Sequence, residues 1–160
     1  MPSQVTTTII AILPFLFSAE AAAQLFGRPR VVDGDGLVIG GISVRLHGID
    51  APERDQVCTG QRGVAIACGQ MARNALAGLI GDREVRCEPE TRDRYGRTVA
   101  VCFAVDLDLG REMVRLGWAR AYTQYSDRYL AEQRDARAAR RSLWRWDWAL
   151  PSEWRRSRRN

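Results

Sequence analysis

The residues best suited to chemistry are carboxylates grouped around an arginine in the first half of the chain. Asp35 stands in the segment V-D-G-D, and Arg45, Asp50 and Glu53 follow in R-L-H-G-I-D-A-P-E. Carboxylate oxygens are hard ligands for a divalent cation, and the planar fork of a guanidinium matches a phosphate. Hydrolysis of a phosphodiester is helped by a cation, by a carboxylate that orients or deprotonates water, and by guanidinium groups that meet the developing charge. The residue types therefore predict metal-assisted hydrolysis of a phosphodiester.

A second candidate cluster is the segment D-R-Y-G-R, which runs from Asp93 to Arg97. It brings a further arginine close in sequence to an aromatic residue, Tyr95. Another guanidinium is thereby available for a phosphate group.

The scarcity of two residue types excludes several other mechanisms. The chain has 1 histidine, His47, and it has no lysine, so every cationic side chain is an arginine. Paired-histidine ribonuclease chemistry, histidine-lysine phosphodiester cleavage and Schiff-base chemistry are therefore excluded. The motifs of serine-hydrolase elbows and of nucleotide-triphosphate loops are also absent from the sequence. The formal net charge of +5 favours an acidic polymer as partner, either nucleic acid or a membrane surface.

Short strands are predicted on both sides of these clusters. Turn residues and the alternation of apolar with polar residues predict strands at Arg30 to Asp33, Leu37 to Ile39, Ile42 to His47, Glu84 to Glu88 and Thr98 to Val105. In the strand that starts at Ile42, we expect Ile42, Val44 and Leu46 to face the core. Arg45 then lies on the opposite face and points toward a cleft.

Helices are predicted from Gln70 to Ile80, from a cap at Asp108 to Gly117, and from a cap at Ser126 to about Leu143. The basic residues from Trp154 onward are expected to form a frayed tail. Five strands with helices between and after them predict an α+β fold, mainly β. In this fold a five-stranded OB-fold barrel is covered by about three packed α-helices.

The beginning of the chain has the anatomy of an export signal. No arginine precedes Arg28, and the apolar run from Ile9 to Phe17 is followed by alanines that end at Ala23. These features predict a signal peptide over residues 1–23 and a single domain over residues 24–160, with its core at about 29–155. A membrane anchor is the alternative, although the run is short for a span and contains Pro14. We expect a secreted or periplasmic protein.

The 4 cysteines are an even number, which favours disulfides in an exported chain. A hairpin centred between Arg94 and Tyr95 would place Cys87 opposite Cys102, because each lies the same distance from that centre, and opposed strand residues are close enough to bridge. Cys58 and Cys68 would then clip the loop that follows Glu53. A zinc site is the alternative, but the sequence has no C-x-x-C pair and 1 histidine.

The motifs named above, together with the segments Met113 to Ala119 and Ser142 to Trp144, resemble those of the staphylococcal nuclease (thermonuclease) family. The resemblance covers nearly all of the chain after residue 29, and the motifs occur in the family's order. It implies an OB-fold and a calcium-dependent nuclease that acts on DNA and RNA. It also implies that the 5′-oxygen leaves, so that 3′-phosphate ends remain.

The resemblance also implies a ligand set for the metal. Asp35 and Asp50 are expected to bind Ca2+ with help from the backbone carbonyl of Ala51. One departure concerns Gly36, which stands where the family usually has a threonine. The change removes a hydroxyl group near the metal and loosens the backbone beside a ligand.

The remaining roles implied by the resemblance concern water and substrate. Glu53 is expected to hold the attacking water, and Arg45 and Arg97 are expected to grip the scissile phosphate. The substrate-binding residues expected along the nucleotide cleft are Arg94, Tyr95 and one of the two later tyrosines, either Tyr122 or Tyr125.

A different class of function remains open at this point. A catalytically silent OB-fold module could keep the barrel and use its arginines only to bind nucleic acid or another polyanion. The change at Gly36 favours this alternative, whereas the complete set of Asp35, Arg45, Asp50, Glu53 and Arg97 favours the nuclease. No stable protein partner is evident, and we expect a monomer.

Overall fold

The computed structural model describes residues 25–158, so the predicted signal peptide lies outside the described residues. The strands are β1 (Leu25–Gly27), β2 (Arg30–Val31), β3 (Gly36–Ile39), β4 (Ile42–Leu46), β5 (Ile49–Asp50), β6 (Cys58–Thr59), β7 (Ala65–Ile66), β8 (Val85–Arg92), β9 (Thr98–Ala104), β10 (Leu107–Asp108) and β11 (Arg120–Ala121). The helices are α1 (Cys68–Ile80), α2 (Leu109–Arg115), α3 (Leu130–Ala138) and α4 (Pro151–Ser157). In this part of the chain, no helix has the length and apolar character needed to cross a membrane.

Most of the strands form one sheet in the order β1–β8–β9–β4–β3–β2, with β10 paired to β9. Neighbours in this sheet are antiparallel, except that β4 and β9 run parallel. β5 pairs with β11 and β6 with β7 in two small separate sheets. The fold is α+β, mainly β, with a barrel-like core of the OB-fold kind, which confirms the predicted fold class.

The hairpin between β3 and β4 sets the face on which Arg45 lies. Its turn is the Gly40–Gly41 pair, whose φ angles of +56° and +82° are left-handed values that glycine adopts without strain. Along β4, Val44 and Leu46 are buried, and Arg45 lies on the other face. The predicted core position of Ile42 is wrong, because this first residue of β4 follows the turn directly and is 46% exposed.

The hairpin between β8 and β9 pairs the two cysteines that the sequence predicts, although its register beside the turn, with Arg92 opposite Thr98, is offset by one residue from the predicted register. Cys87 is opposite Cys102, and a disulfide joins them. The register shifts between Pro89 and Thr91, before the turn formed by the D-R-Y-G-R segment. This irregularity is of the kind that bends a strand near its end.

Helix α1 begins at Cys68, two residues before the predicted start at Gln70, and ends at Ile80 as predicted, whereas α2 begins directly after its predicted cap. Ala72, Leu76 and Ile80 recur at helical spacing on one face of α1 and are buried. The side chain of Asp108 caps α2 by accepting a hydrogen bond from the backbone N–H of Arg111 at 3.0 Å.

Helix α3 is shorter than the sequence predicts, and the prediction of a helix capped by Ser126 and reaching about Leu143 is wrong at both ends. The hydroxyl group of Ser126 instead accepts a hydrogen bond from the backbone N–H of Arg128, within a turn that precedes the helix. At the other end, Arg140 has a φ of +49°, which a continuing helix cannot accommodate.

The prediction of a frayed tail from Trp154 is also wrong for the described residues, because Trp154 belongs to helix α4. Pro151 is favoured at the first helical position and is buried. The backbone N–H of Leu150 donates to the side chain of Glu153 at 3.1 Å, which completes the start of the helix. The segment that leads into α4 carries Trp146 and Trp148, which pack on the Cys58–Cys68 disulfide and Leu143.

Candidate active site

Arg45 lies between two buried aspartates at the centre of the candidate site. Its Nη2 atom donates to Oδ2 of Asp35 at 2.8 Å and to Oδ1 of Asp50 at 3.1 Å. Asp35 and Asp50 are 3% and 1% exposed. The backbone N–H of Ala51 also donates to Oδ2 of Asp35, at 3.0 Å. The loop before β3, the strand β4 and the end of β5 thus bring the predicted metal ligands and one predicted phosphate ligand together.

Burial and repulsion between carboxylates dominate the electrostatics here. Burial, reinforced by the charge of Asp35, raises the pKa of Asp50 to about 6. The same causes raise the pKa of Asp33 to about 7. The negative charge of Asp35 also raises the pKa of Arg45 above its ordinary value. The buried negative charge exceeds what Arg45 offsets, and a bound cation would relieve it.

Gly36 leaves room for the carboxylate of Asp33. A β-carbon on Gly36 would lie 2.6 Å from Oδ1 of Asp33, closer than such contacts occur. The same Oδ1 atom accepts a hydrogen bond from the backbone N–H of Asp35 at 3.2 Å. A threonine at this position would displace the Asp33 carboxylate, so the glycine that lacks the hydroxyl group also makes the observed position of this carboxylate possible.

The donor set fits a hard divalent cation that is held only partly by protein. Among residues 25–158, no group of three or more histidine, cysteine, aspartate and glutamate side chains could hold a metal ion by itself. The donors that do meet are the carboxylates of Asp35 and Asp50, which are buried beside the backbone of Ala51. Carboxylate and carbonyl oxygens suit calcium, whose larger coordination shell also accepts water and substrate oxygens.

Glu53 lies in a loop that packs against the start of α1. Its backbone N–H donates to Oε1 of the buried Gln56 at 3.2 Å. A β-carbon on Gly69 would lie 1.8 Å from the carbonyl oxygen of Glu53, so only glycine allows the helix to approach this closely. The Cys58–Cys68 disulfide joins the far end of the loop to the first residue of α1.

The side chain of Glu53 contacts an arginine that belongs to none of the motifs found in the sequence. Arg155, on helix α4, donates from Nη1 to Oε1 of Glu53. The positive charge of Arg155 also acts on Asp50 and Tyr122, where it opposes the larger effect of burial on their pKa values. Arg155 lies far from the other site residues in sequence. Because the segment from Trp154 was predicted to be a frayed tail, Arg155 was not predicted to be a site residue.

Arg97 is fixed by Asp93 in the turn between β8 and β9. Its Nε donates to Oδ2 of Asp93 at 2.7 Å, and its backbone N–H donates to Oδ1 at 3.0 Å. Burial acts to raise the pKa of Asp93, but the hydrogen bonds from Arg97 and Tyr95 outweigh it and lower that pKa. The guanidinium carbons of Arg94 and Arg97 lie 4.9 and 5.5 Å from the centre of the Tyr95 ring. Asp93 therefore positions Arg97, a role that the sequence motif did not reveal.

Residues of both clusters line one cleft with a volume of about 990 Å³, whereas the predicted metal ligands Asp35, Asp50 and Ala51 lie behind its lining residues. The parallel pairing of β4 with β9 places Arg45 opposite Val99. Arg97 precedes Val99 by two positions and therefore lies on the same face as Arg45. The sequence-predicted residues that line the cleft are Arg45, Glu53, Arg94, Tyr95, Arg97, Tyr122 and Tyr125.

Tyr122 and Tyr125 form an edge-to-face pair whose ring centroids are 4.8 Å apart. Tyr125 is 66% exposed. Tyr122 lies deeper, and burial, with a contribution from the charge of Asp50, raises its pKa. Tyr125 thus has an exposed ring face that a base could stack on, and the ring of Tyr122 packs against it. This difference in exposure could not be predicted from the sequence.

The family model described as "Staphylococcal nuclease homologue" matches residues 43–146. The chain belongs to this family. The chain is 39% identical over 146 residues to the "succinoglycan biosynthesis protein ExoI" of Rhizobium meliloti (strain 1021), and the aligned region covers 88% of this chain and 76% of that protein. It is 34% identical over 158 residues to an "uncharacterized endonuclease" of Haemophilus influenzae, with 94% of this chain and 83% of that protein covered. It is 33% identical over 171 residues to the "micrococcal nuclease" of Shigella flexneri, with 95% and 92% covered.

The match to the staphylococcal nuclease family has a boundary that matters for the site. The matched residues include Arg45, Asp50, Glu53 and Arg97. They end at residue 146, before helix α4 begins at Pro151. In this staphylococcal nuclease homologue, a segment outside the family match therefore reaches Glu53.

Proposed function

We propose that the protein is an exported, calcium-dependent nuclease that hydrolyses the phosphodiester bonds of DNA and RNA. The observation that supports this most is the pair of buried aspartates bridged by Arg45, beside a cleft also lined by Glu53 and Arg97. Family relatives named as an endonuclease and as a micrococcal nuclease support the same class of reaction. The arginines and exposed tyrosines of the cleft suit a polyanion that carries aromatic bases.

In this proposal Asp35 and Asp50 hold Ca2+, together with the backbone carbonyl of Ala51. When bound, the cation supplies neutralisation of the phosphate charge and a Lewis acid near the reacting water. Glu53 orients that water or accepts its proton.

Arg45 and Arg97 meet the charge that develops on the phosphate oxygens. Guanidinium donors fixed before the reaction stabilise such charge without further reorganisation. Arg97 is already fixed by Asp93, and Arg45 is fixed between its two aspartates. The 5′-oxygen is the leaving group, and the product keeps a 3′-phosphate.

The neighbouring bases of the substrate lie against the aromatic wall of the cleft. Tyr125 and Tyr95 are the exposed rings of that wall, at 66% and 65%. Stacking on such rings contributes about 1–3 kcal/mol per base. Arg94, whose guanidinium lies over the Tyr95 ring, is placed to contact the backbone of the nucleic acid.

The compartment forms part of the same proposal. Two disulfides favour an extracellular or periplasmic location, where calcium is abundant enough for a site with few protein ligands. A signal peptide over residues 1–23 would direct the chain there, and residues 24–160 would form a single monomeric domain.

The alternative, a silent module that binds nucleic acid or another polyanion, is favoured by one observation. Glu53, the residue meant to act on water, is paired with Arg155. A pure binder, however, has no use for a carboxylate in the arginine-rich cleft, because negative charge there weakens the binding of a polyanion.

The deciding experiment incubates the purified protein with denatured DNA and with RNA, each in calcium, in magnesium and in chelator. We expect cleavage of both substrates in calcium, weak cleavage in magnesium and none in chelator. Magnesium is expected to serve poorly because it demands a strict octahedral shell. Equal cleavage in chelator would refute the metal assignment, and binding without cleavage in calcium would favour the silent module. A Glu53→Gln variant, purified in the same way, controls for contaminating nucleases.

A further inference from the structure

The segment that leads into α4 is fastened to the loop that carries Glu53. Thr59 and Asp147 exchange backbone hydrogen bonds of 2.7 and 2.9 Å. Nε2 of the buried Gln56 donates to the backbone carbonyl of Ala149 at 2.7 Å, while its Oε1 accepts from the N–H of Glu53. Gln56 therefore joins the two segments directly, and α4 has a fixed position relative to Glu53.

Helix α4 itself faces this loop with two arginines. Nη1 of Arg158 lies 2.9 Å from Oδ2 of Asp55, on the outer side of the loop. Arg155, one helical turn earlier, pairs with Glu53 and lines the cleft. The side chain of Arg158 is 59% exposed and that of Arg155 is 34% exposed. Only Arg155, therefore, is directed into the site.

The pair of Arg155 with Glu53 is of a kind that a phosphate can displace. A partly exposed ion pair between two side chains is worth only about 0–1 kcal/mol. A guanidinium can instead form parallel, charge-assisted hydrogen bonds with a phosphate, and these bonds are stronger. A phosphate that enters the cleft would also repel the Glu53 carboxylate, unless a cation lies between them.

We propose that Arg155 is a third substrate-binding arginine of the cleft, which Glu53 holds in the free protein and a backbone phosphate of the nucleic acid binds in the complex. When Arg155 moves from Glu53 to the phosphate, Oε1 of Glu53 becomes available to the attacking water. Binding of the nucleic acid and release of the Glu53 carboxylate are therefore coupled. This inference rests on the proposed nuclease function for its kinetic consequence, but its binding consequence can be tested independently.

The binding test uses a fluorescent single-stranded oligonucleotide in chelator at low salt, so that no calcium-dependent cleavage occurs. Arg155→Gln should weaken binding about tenfold, the loss of a charge-assisted contact. Arg156→Gln, on the exposed side of the same helix and outside the cleft lining, is the matched control and should change binding less than about twofold. Arg155→Lys should keep part of the affinity, because it keeps the charge and loses the fork.

A double-mutant cycle distinguishes transfer of Arg155 from a general effect of charge. Glu53→Gln removes the ion pair between Glu53 and Arg155 and should tighten binding about two- to fivefold, in line with a weak ion pair. The same change in the Arg155→Gln background should tighten binding less, because it then removes only the repulsion between the Glu53 carboxylate and the phosphate. Equal tightening in both backgrounds, or unchanged binding by Arg155→Gln, would overturn the proposal. Thermal unfolding of each variant verifies that it is folded.

Steady-state kinetics in calcium provides the second test. Arg155→Gln should raise KM at least fivefold and change kcat less than about threefold, because the lost contact serves binding. A fall in kcat with unchanged KM would overturn the proposal, since it would mean that Arg155 acts by holding Glu53 in position. If the wild-type protein cleaves nothing, the nuclease proposal fails, and the binding cycle still decides the role of Arg155.

Discussion

The backbone N–H of Glu53 donates to the side chain of Gln56 at 3.2 Å, and Gln56 is only 1% exposed. The loop is thus fixed through its main chain, whereas the carboxylate of Glu53 points into the cleft, where it meets Arg155. A main chain held in this way allows the carboxylate to exchange partners without movement of the loop.

The two disulfides should differ in their effect on activity. Replacing Cys58 and Cys68 by serine should lower kcat, because their disulfide ties the loop after Glu53 to the start of α1. Replacing Cys87 and Cys102 should leave kcat near the wild-type value, because their disulfide lies within the barrel wall. Each loss should cost about 2–4 kcal/mol of unfolding free energy. Urea unfolding and kcat of both double variants check this, and a larger kcat loss at the second disulfide would contradict it.

Replacing Arg97 by alanine should affect catalysis more than binding. The guanidinium is needed most when charge builds on the phosphate, so kcat should fall by the equivalent of about 3 kcal/mol or more, with a smaller change in KM. Asp93→Asn should give a smaller loss of the same kind, because it loosens Arg97 without removing it. Arg83→Ala is a suitable control, since Arg83 binds backbone carbonyls at the end of α1. Wild-type kcat in Arg97→Ala would remove this residue from the mechanism.

Calcium titrations should separate Asp50 from Glu53. Asp50→Ala removes a proposed ligand, so half-maximal activity should require more calcium, and high calcium should restore part of the rate. Glu53→Ala removes the group that orients water, so added calcium should not restore its rate. The measurement is initial rate against calcium concentration for both variants. Rescue of Glu53→Ala by calcium would reverse the two assignments.

The metal-free protein should be destabilised by its own carboxylates as the pH rises. The pKa of Asp50 is raised from 3.8 to about 6 and that of Asp33 from 3.8 to about 7. A folded pKa above the unfolded value means that the folded state holds the proton more tightly, so this contribution disfavours folding as the pH rises from about 4 to 7. In chelator, Asp50→Asn should reduce the loss of unfolding free energy over that range.

Calcium should offset the same destabilisation. Because it binds ionised carboxylates, it should stabilise the wild-type protein more at pH 8 than at pH 5. Urea unfolding at both pH values, with calcium and with chelator, measures the difference. Equal stabilisation at the two pH values would argue against binding at Asp50.

The sequence was sufficient for those parts of the protein that local patterns determine. The pairing of Cys87 with Cys102 followed from the approximate position of the turn, although the irregularity between Pro89 and Thr91 is needed to compensate for a one-residue offset beside that turn. The grouping of Asp35, Arg45 and Asp50 followed from family motifs. Contacts between distant segments could not be predicted in this way, because the contact of Arg155 with Glu53 depends on how α4 packs.

Prediction from local patterns also failed where the same residue types are compatible with two different structures. A run of arginines with Trp154 is typical of a solvated tail, and the start of α4 becomes evident only when Pro151 is buried. The cap at Ser126 failed for a similar reason. Serine is common both at helix starts and in turns, and here its hydroxyl group serves a turn before α3.

The parallel pairing of β4 with β9 has a consequence for how the protein folds. The strands β4 and β9, which place Arg45 and Arg97 along one cleft, are separated in sequence by β5, β6, β7, α1 and β8, whereas the β8–β9 hairpin is local. Closing such a long segment costs more chain entropy than closing a hairpin, so non-local pairings form slowly. The two arginines should therefore come together only after the disulfide-linked hairpin has formed. In a partly folded chain, Arg45 on β4 and Arg97 in the hairpin would lie on two segments that are not yet paired.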